Sequence, residues 1–333
     1  MPTIRDVARL ANVSVATVSR YLNQNAVVSE ETAQRVQGAM RELNYVPQLA
    51  ARSLATHRFL TIGLLLTEIN SDFFAPLLKG IESVAREEGY GLLIATNDPM
   101  TSTGLPPIGP HNTDGLLVFL DSLEERILRD YSAQGFPMVL VQQVSPSGLD
   151  IPSVAIENKT ALERVVDHVV EAHGRRNIAF LRGPQGNADS EWREAGYRAG
   201  LRKHGIPVDE SMIAYGDYDR HIAYHSVKQL VGSRPDIDAI FTGDDEAAIG
   251  ALRALRDLGR RVPEDVAVVG FDDQSLAPYL APPLTTVHAP TEEVGTAAAR
   301  QLFQLIKTGK AEPFVFLPTE LIVRRSCGCA YEA

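Results

Sequence analysis

The sequence predicts a small helical domain at the N-terminus, followed by a larger two-lobed α/β domain with parallel sheets. Apolar residues recur at helical spacing up to about residue 46. From Thr61 onward, short continuous apolar runs such as TIGLLL and DGLLVFL alternate with amphipathic stretches. Continuous runs are typical of parallel strands that are buried on both faces. This region of about 275 residues is too long for one core, so two lobes are expected.

Residues 3–23 have the spacing of two short helices joined by a tight turn. Thr3 and Asp6 form an acidic variant of the capping box, Asn12 tolerates a left-handed turn, and Ser14 can cap the second helix. The apolar faces consist of Ile4, Val7, Ala8, Ala11, Val15, Val18 and Leu22. Such a pair is typical of a helix-turn-helix, whose second helix enters the DNA major groove, although any helical hairpin has similar spacing.

The exposed face of the second predicted helix is small and polar. A solvated face usually carries Glu and Lys, and this one has neither, which favours a DNA-binding surface over an ordinary hairpin. The residues on this face are Ala16, Thr17, Ser19, Arg20 and Asn23.

A third helix is predicted from Glu30 to Leu43, with Ser29 as its N-cap and acidic residues in its first turn. Pro47 ends this N-terminal headpiece. Residues 48–56 are good helix formers, but an isolated helix of about nine residues is unstable in water. We therefore expect a linker here.

The charge of the chain is distributed unevenly. The net charge is −10, yet residues 1–58 contain seven arginines against four acidic residues and carry a net charge of +3. A positive field at the N-terminus suits a module that contacts phosphates. No apolar run reaches the roughly 18 residues of a membrane helix, and the N-terminus lacks a signal-peptide pattern, so a cytoplasmic location is expected.

Two cysteines, Cys327 and Cys329, form a C-x-C near the C-terminus. A zinc site needs about four ligands, and no second pair of Cys or His residues with metal spacing is evident. We therefore expect two free thiols, no metal and no cofactor.

Enzyme signatures are missing from the chain. There is no phosphate-binding loop, dinucleotide fingerprint, zinc-protease motif or nucleophile elbow. The pairs Asp244–Asp245 and Asp272–Asp273 follow apolar runs, where carboxylates could do acid–base work, bind a metal or bind polar ligand groups. With no catalytic partner in view, we expect a binding protein rather than an enzyme.

One segment is unusual for a compact α/β domain. Residues 97–113 cannot form a helix of normal length because they contain four prolines, and a structureless loop of this length is uncommon. The prolines are Pro99, Pro106, Pro107 and Pro110.

The runs DVARLANVSVATVSRYLN, TGDDEAAIGALRALRDLGRRVPEDVAVVGFDD and PPLTTVHAP resemble the LacI/GalR family of transcription regulators, in the family's order and spacing. The resemblance implies two subdomains of the periplasmic-binding-protein type, joined by three crossovers near residues 156–159, 287–289 and 317–319. It places a helix in residues 97–113, near the subunit contact, where this chain has prolines. The implied domains are a headpiece (1–46), a hinge (47–58) and a two-lobed domain (59–333), with lobe 1 at about 59–157 and 289–317 and lobe 2 at about 158–288 and 318–333.

The resemblance also implies DNA contacts. Arg20 matches the residue that reads a base in the major groove, and Val15 and Ala16 occupy the other reading positions with only apolar contacts to offer. Leu54 matches the leucine of the hinge helix that wedges into the minor groove. Candidate phosphate contacts, which position the domain, are Thr17, Ser19, Asn23, Ser29 and Tyr45.

For the cleft between the lobes, Arg193 in WREAGY matches the family arginine that clamps the effector, and Asp272 matches the aspartate that binds its hydroxyls or amines. A salt bridge on a helix face and a helix N-cap are the ordinary alternatives for these two residues. Further candidate contacts are the aromatic residues Phe73, Phe74, Trp192 and Tyr218, for which plain core packing is the alternative. Gln143, at the end of the PMVLV run, is a candidate hydrogen-bond donor to the ligand.

The expected function is a transcription regulator, usually a repressor in this family, that binds a palindromic operator as a homodimer. Its effector is expected to be a sugar or sugar derivative. The first alternative is a DNA-binding regulator with a purine-like effector or with no small-molecule effector. A regulator without a ligand could work through a protein partner. A transport-type sugar-binding protein is the second, and the helix-turn-helix argues against it.

Overall fold

The computed structural model describes residues 2–23, 28–45, 58–69, 71–99, 101 and 104–330. The chain divides into two compact units, residues 1–59 and 60–333. The predicted hinge, including Leu54, lies outside the described residues except for Arg58. In the described part of the chain, every helix is too short or too polar to cross a bilayer.

In its described residues, the N-terminal unit contains three helices around a small apolar core. They are α1 (Ile4–Leu10), α2 (Val15–Asn23) and α3 (Glu30–Glu42). The fully buried core residues are Val7, Ala8, Ala11, Val18, Val36 and Ala39.

The local signals in the headpiece sequence are confirmed. Oδ2 of Asp6 accepts hydrogen bonds from both the backbone N–H and the hydroxyl of Thr3, at 2.9 and 2.7 Å. Asn12 is left-handed with φ 52°, and the Ser14 hydroxyl accepts from the N–H of Thr17 at 3.1 Å. Ser29 caps α3. These contacts are all between residues close in sequence, so they begin the helices and form the turn without partners from distant parts of the chain.

The C-terminal unit contains two parallel sheets. The first has six strands in the order β11-β5-β4-β3-β1-β2. Its strands are β1 (Thr61–Leu66), β2 (Gly91–Thr96), β3 (Leu116–Phe119), β4 (Met138–Val141), β5 (Ser153–Ile156) and β11 (Phe314–Leu317). Its helices are α4 (Phe74–Glu87), α5 (Glu125–Ala133) and α10 (Thr291–Thr308). We call this layer the first lobe.

The second sheet has four strands in the order β7-β6-β8-β9. They are β6 (Ile178–Arg182), β7 (Ile213–Tyr215), β8 (Ala239–Thr242) and β9 (Ala267–Val269). The helices are α6 (Lys159–His173), α7 (Ala188–Lys203), α8 (Arg220–Ser233) and α9 (Asp245–Asp257). A two-stranded antiparallel ribbon pairs β10 (Thr286–His288) with β12 (Glu320–Ile322). We call these elements the second lobe.

The chain passes between the lobes three times, after β5, after β10 and after β11. Helix α7 packs closely on α6 because residue 196 is glycine: a Cβ there would overlap the carbonyl oxygen of Lys159. This close approach fixes the position of α7, the helix that carries Arg193.

The proline-containing segment forms a loop on the first lobe. No helix is assigned in its described residues, 97–99, 101 and 104–113, as the prolines predicted. Ile108 is buried, the Thr113 hydroxyl donates to the carbonyl of Gly109 at 2.9 Å, and the Asn112 side chain accepts from the N–H of Gly109 at 2.9 Å. Local hydrogen bonds and buried apolar side chains therefore hold the described part of this segment against the first lobe.

Candidate DNA-binding surface and ligand cleft

The exposed face of α2 presents the predicted base-reading residues. Val15 is 41 % exposed, and Ala16 and Arg20 are also exposed, while Val18 on the opposite face is fully buried. Because Val18 anchors the helix in the headpiece core, the three exposed side chains project from one rigid surface. Among the described residues, no ion pair engages Arg20, so its guanidinium is available to a base edge.

The candidate phosphate contacts differ in their exposure and in how their side chains pack. Thr17 and Ser19 are half-buried on α2, and the hydroxyls of Thr17 and Ser14 lie 2.9 Å apart. Ser29 is exposed at the start of α3, where anions are favoured, and Tyr45 packs against the headpiece core. The side chain of Asn23 and the whole of Leu54 lie outside the described residues.

In the C-terminal unit, polar side chains gather where the parallel strands end. Gln143 follows β4, Tyr218 follows β7, Asp244 follows β8 and Asp272 follows β9. Ligand sites of open α/β sheets lie at this edge. Phe73, ahead of α4 in the first lobe, lines the same cavity as Asp272.

Arg193 is the most constrained of these residues, only 3 % exposed. Its Nε donates to Oδ1 of Asn158 at 2.8 Å, one terminal nitrogen donates to the carbonyl of Gly243, and Nη2 lies 3.4 Å from Oδ1 of Asp272. The guanidinium carbon stacks 3.7 Å from the ring centroid of Phe271. The simple alternative of a salt bridge on a helix face does not describe this residue, which is buried between strand ends.

Three buried carboxyl groups surround this one guanidinium. Burial raises the pKa of Asp189 to about 6, and burial together with neighbouring Asp272 raises the pKa of Asp244 to about 8. Burial also raises the pKa of Asp272, against the effect of Arg193. Asp272 has φ 101°, a strained conformation for a non-glycine residue, and Asp244, not Asp272, caps α9. The site therefore has more acceptor and carboxyl groups than one cation satisfies, and such groups suit a ligand rich in hydroxyls.

Two cavities lie along the boundary between the lobes. The larger, about 600 Å³, has Phe73 and Lys79 on the first lobe and Asp272, Asp273 and His288 in its opposite wall. The smaller, about 210 Å³, is lined by residues that include Gln142, Gln143, Asn158, Asp189, Trp192 and Phe316. Arg193 joins them, because it bonds to Asp272 of one wall and Asn158 of the other.

The structure separates the aromatic candidates. Phe74 is only 6 % exposed and packs edge-on against Phe73 and Phe119 with ring centroids 5.4 Å apart, so we assign it to the first-lobe core rather than to the ligand site. Trp192 is 51 % exposed at the smaller cavity. Tyr218 lies 5.7 Å from the Arg193 guanidinium and donates to Oδ1 of Asn187 at 3.3 Å.

Sequence reasoning missed two polar residues of the cleft, Asn158 and Asp189, whose side chains bond to each other at 2.8 Å. Asp189 precedes Arg193 by four residues on α7, which places both on one helix face. That spacing was a usable signal. Asn158 had none, because only the packing of α6 against α7 brings it to Arg193.

The expectation of no second pair of metal-type ligands is wrong. His168 and His173 on α6 bring their Nε2 atoms to within 3.6 Å of the cysteine sulfurs at the C-terminus. The signal was the H-x4-H spacing within α6, which matches the histidine pairs of zinc sites. The histidine pair lies about 155 residues before the C-x-C, so the sequence alone does not connect the two pairs.

Comparison with known proteins gives two family matches. The model described as "Bacterial regulatory proteins, lacI family" matches residues 3–48, and that of the "Periplasmic binding protein-like domain" matches residues 166–327. The HTH-type transcriptional regulator CelR of Thermobifida fusca is 35% identical over 98% of this chain and 98% of its own length.

Two solved structures support the same grouping. A transcriptional regulator CelR–cellobiose complex is 34% identical, with 98% of this chain and 100% of that chain covered and a TM-score of 0.71. A lac repressor dimer bound to operator and an anti-inducer is 27% identical, with 98% of this chain and 99% of that chain covered and a TM-score of 0.83. The chain therefore belongs to the LacI family of bacterial regulatory proteins and is a DNA-binding transcription regulator.

Proposed function

We propose that this regulator is a repressor that binds a palindromic operator as a homodimer in the cytoplasm, and that a sugar or sugar derivative in the interlobe cleft changes its operator affinity. The observation that carries the effector class is the buried cluster around Arg193. Three carboxyl groups and Asn158 face one guanidinium, so hydroxyl donors find acceptors on several sides. The similar CelR protein is solved with cellobiose, which supports the same class.

The ligand is held between an apolar wall and a polar wall. Phe73 supplies an aromatic face from the first lobe, and such faces pack against the C–H surfaces of sugar rings. On the same lobe, Gln143 supplies an amide whose Oε1 has no hydrogen-bond partner among the described residues. The facing polar wall, with Asp272 and His288, belongs to the second lobe. Because the two walls belong to different lobes, a ligand that contacts both stabilises one lobe arrangement over another.

The dimer is supported by exposed apolar side chains in both lobes. Leu93 and Ile94 are 38 % and 40 % exposed on β2, at one edge of the first sheet. Tyr279 is 82 % exposed in the second lobe. Side chains of this type are typical of interface cores, and a twofold dimer would match a palindromic operator.

The test measures operator binding by the full-length chain. Fluorescence anisotropy of a palindromic site from the region upstream of its own gene is recorded with monosaccharides, cellobiose and other disaccharides, sugar phosphates and nucleobases. We expect one sugar to change the operator Kd about 5- to 150-fold, the usual range of allosteric coupling. A response to nucleobases alone would contradict the sugar assignment, and no sequence-specific DNA binding would contradict the regulator itself.

A further inference from the structure

Four side chains of the kinds that bind metal ions meet on the second lobe, and none of them lines either cavity of the cleft. Cys327 and Cys329 come from the segment after β12, and His168 and His173 come from the last turns of α6. Sγ of Cys329 lies 3.2 Å from Nε2 of His173 and 3.6 Å from Nε2 of His168, and Sγ of Cys327 lies 3.5 Å from Nε2 of His168. All four ligand atoms lie within 4.8 Å of one another.

The three sulfur–nitrogen distances fit a tetrahedron around one ion, and the other separations stay within 4.8 Å. Zinc bonds of about 2.3 Å to sulfur and about 2.0–2.1 Å to nitrogen, at tetrahedral angles, put the sulfur and nitrogen atoms about 3.5 Å apart. The three sulfur–nitrogen distances fall on either side of this value. A set of thiols and imidazoles packed only for its own hydrogen bonds has no reason to converge on a common centre, since thiol hydrogen bonds are weak.

The backbone between the two cysteines is shaped for this convergence. Gly328 has φ +115°, a conformation that side-chain-bearing residues rarely adopt, and it turns the chain so that both sulfurs reach the same point. A Cβ at this position would also lie 3.1 Å from Nδ1 of His173. The Thr285 hydroxyl donates to Sγ of Cys327 at 3.2 Å, as outer partners of metal thiolates do.

We propose that His168, His173, Cys327 and Cys329 bind one zinc ion in a closed, structural site. Two thiolates and two imidazoles in a tetrahedral arrangement favour zinc over the hard cations, which prefer oxygen ligands. All four positions are filled by protein, so no position remains for water or substrate. The ion is therefore structural and takes no part in a reaction.

The zinc ion would join α6 to the C-terminal segment, two parts of the chain about 155 residues apart. That segment also carries Arg324, whose Nη2 lies 2.7 Å from Oδ1 of Asp273 in the wall of the larger cavity. Metal binding to a folded site adds directly to folding stability. We expect the ion to fix the C-terminal segment against α6. Through Arg324, it would also help to position Asp273, the neighbour of Asp272.

The first measurement is zinc content of the full-length chain, produced without a histidine tag and purified in a reducing buffer free of chelators. We expect about one zinc ion per chain by inductively coupled plasma mass spectrometry. Cys329→Ser and His173→Asn remove one ligand each and should lower the content at least tenfold. His225→Asn is the matched control, because His225 is exposed on α8, and it should retain the zinc.

A second measurement does not depend on the folding of variants. Wild-type protein stripped of metal and loaded with cobalt should show the strong visible and charge-transfer absorption of tetrahedral cobalt thiolate. A strong chelator should lower the melting temperature, and added zinc should restore it. Reduced, folded wild-type protein that takes up no zinc or cobalt, or a Cys327–Cys329 disulfide in protein purified under reduction, would overturn the proposal.

Discussion

The two candidate recognition surfaces of this chain are built in opposite ways. On α2 the side chains are contiguous in sequence, exposed, and held by a helix whose other face is buried at Val18. In the cleft the side chains come from strand ends and helices between Phe73 and His288, and Arg193 is buried among them. A local surface can be changed one contact at a time, whereas a buried polar network loses several contacts together.

The largest expected effect is in the cleft. Arg193→Ala leaves Asp272, Asn158 and the Gly243 carbonyl without their donor, and breaking a buried ion pair costs about 3–5 kcal/mol. We expect effector affinity to fall by about two to four orders of magnitude, at about 1.4 kcal/mol for each factor of ten, while operator binding without effector persists. Titration calorimetry on the full chain measures effector affinity, and fluorescence anisotropy measures operator binding.

The matched control is Arg202→Ala, an exposed arginine on the same helix α7, which should leave the effector response unchanged. Equal effector affinities for the Arg193 and Arg202 variants would remove Arg193 from the ligand site. Circular dichroism of both variants shows whether the fold is retained.

A smaller effect is expected on the DNA surface. Arg20→Ala removes one exposed side chain that makes no ion pair among the described residues, so the expected loss is that of a single base contact, about 1–3 kcal/mol or 5- to 150-fold in operator affinity. Binding to nonspecific DNA should change little. Equal losses on both DNAs would indicate that Arg20 contacts a phosphate and reads no base.

A separate effect, on stability rather than on binding, is a dependence on pH. Burial raises the pKa of Asp244 to about 8 in the folded chain, so the folded state holds this proton more tightly than the unfolded state. Its contribution is complete below the unfolded pKa of about 4 and is lost as the pH rises towards 8. The melting temperature should therefore fall over this window.

Asp244→Asn keeps the helix cap but cannot ionise, so the difference in melting temperature between this variant and the wild type should grow from pH 5 to pH 8. A difference that is constant with pH would show that Asp244 does not titrate there. The wild type and the variant are both measured as full-length chains without effector.

Sequence patterns were sufficient where neighbours in the chain are also neighbours in space. The caps at Thr3, Ser14 and Ser29, the left-handed Asn12 and the loop of prolines at 97–113 all follow from local chemistry. The alternation of apolar runs and amphipathic helices predicted the parallel sheets for the same reason, because period and burial are local properties.

Distant residues required the three-dimensional structure. Phe73 and Phe74 are adjacent and chemically identical, yet one lines the larger cavity and the other lies in the core. Asn158 contacts Arg193, and the H-x4-H of α6 meets the C-x-C, only because elements far apart in sequence pack against each other. Periodicity specifies which face of an element is buried, but which buried partner that face meets depends on packing between elements far apart in sequence.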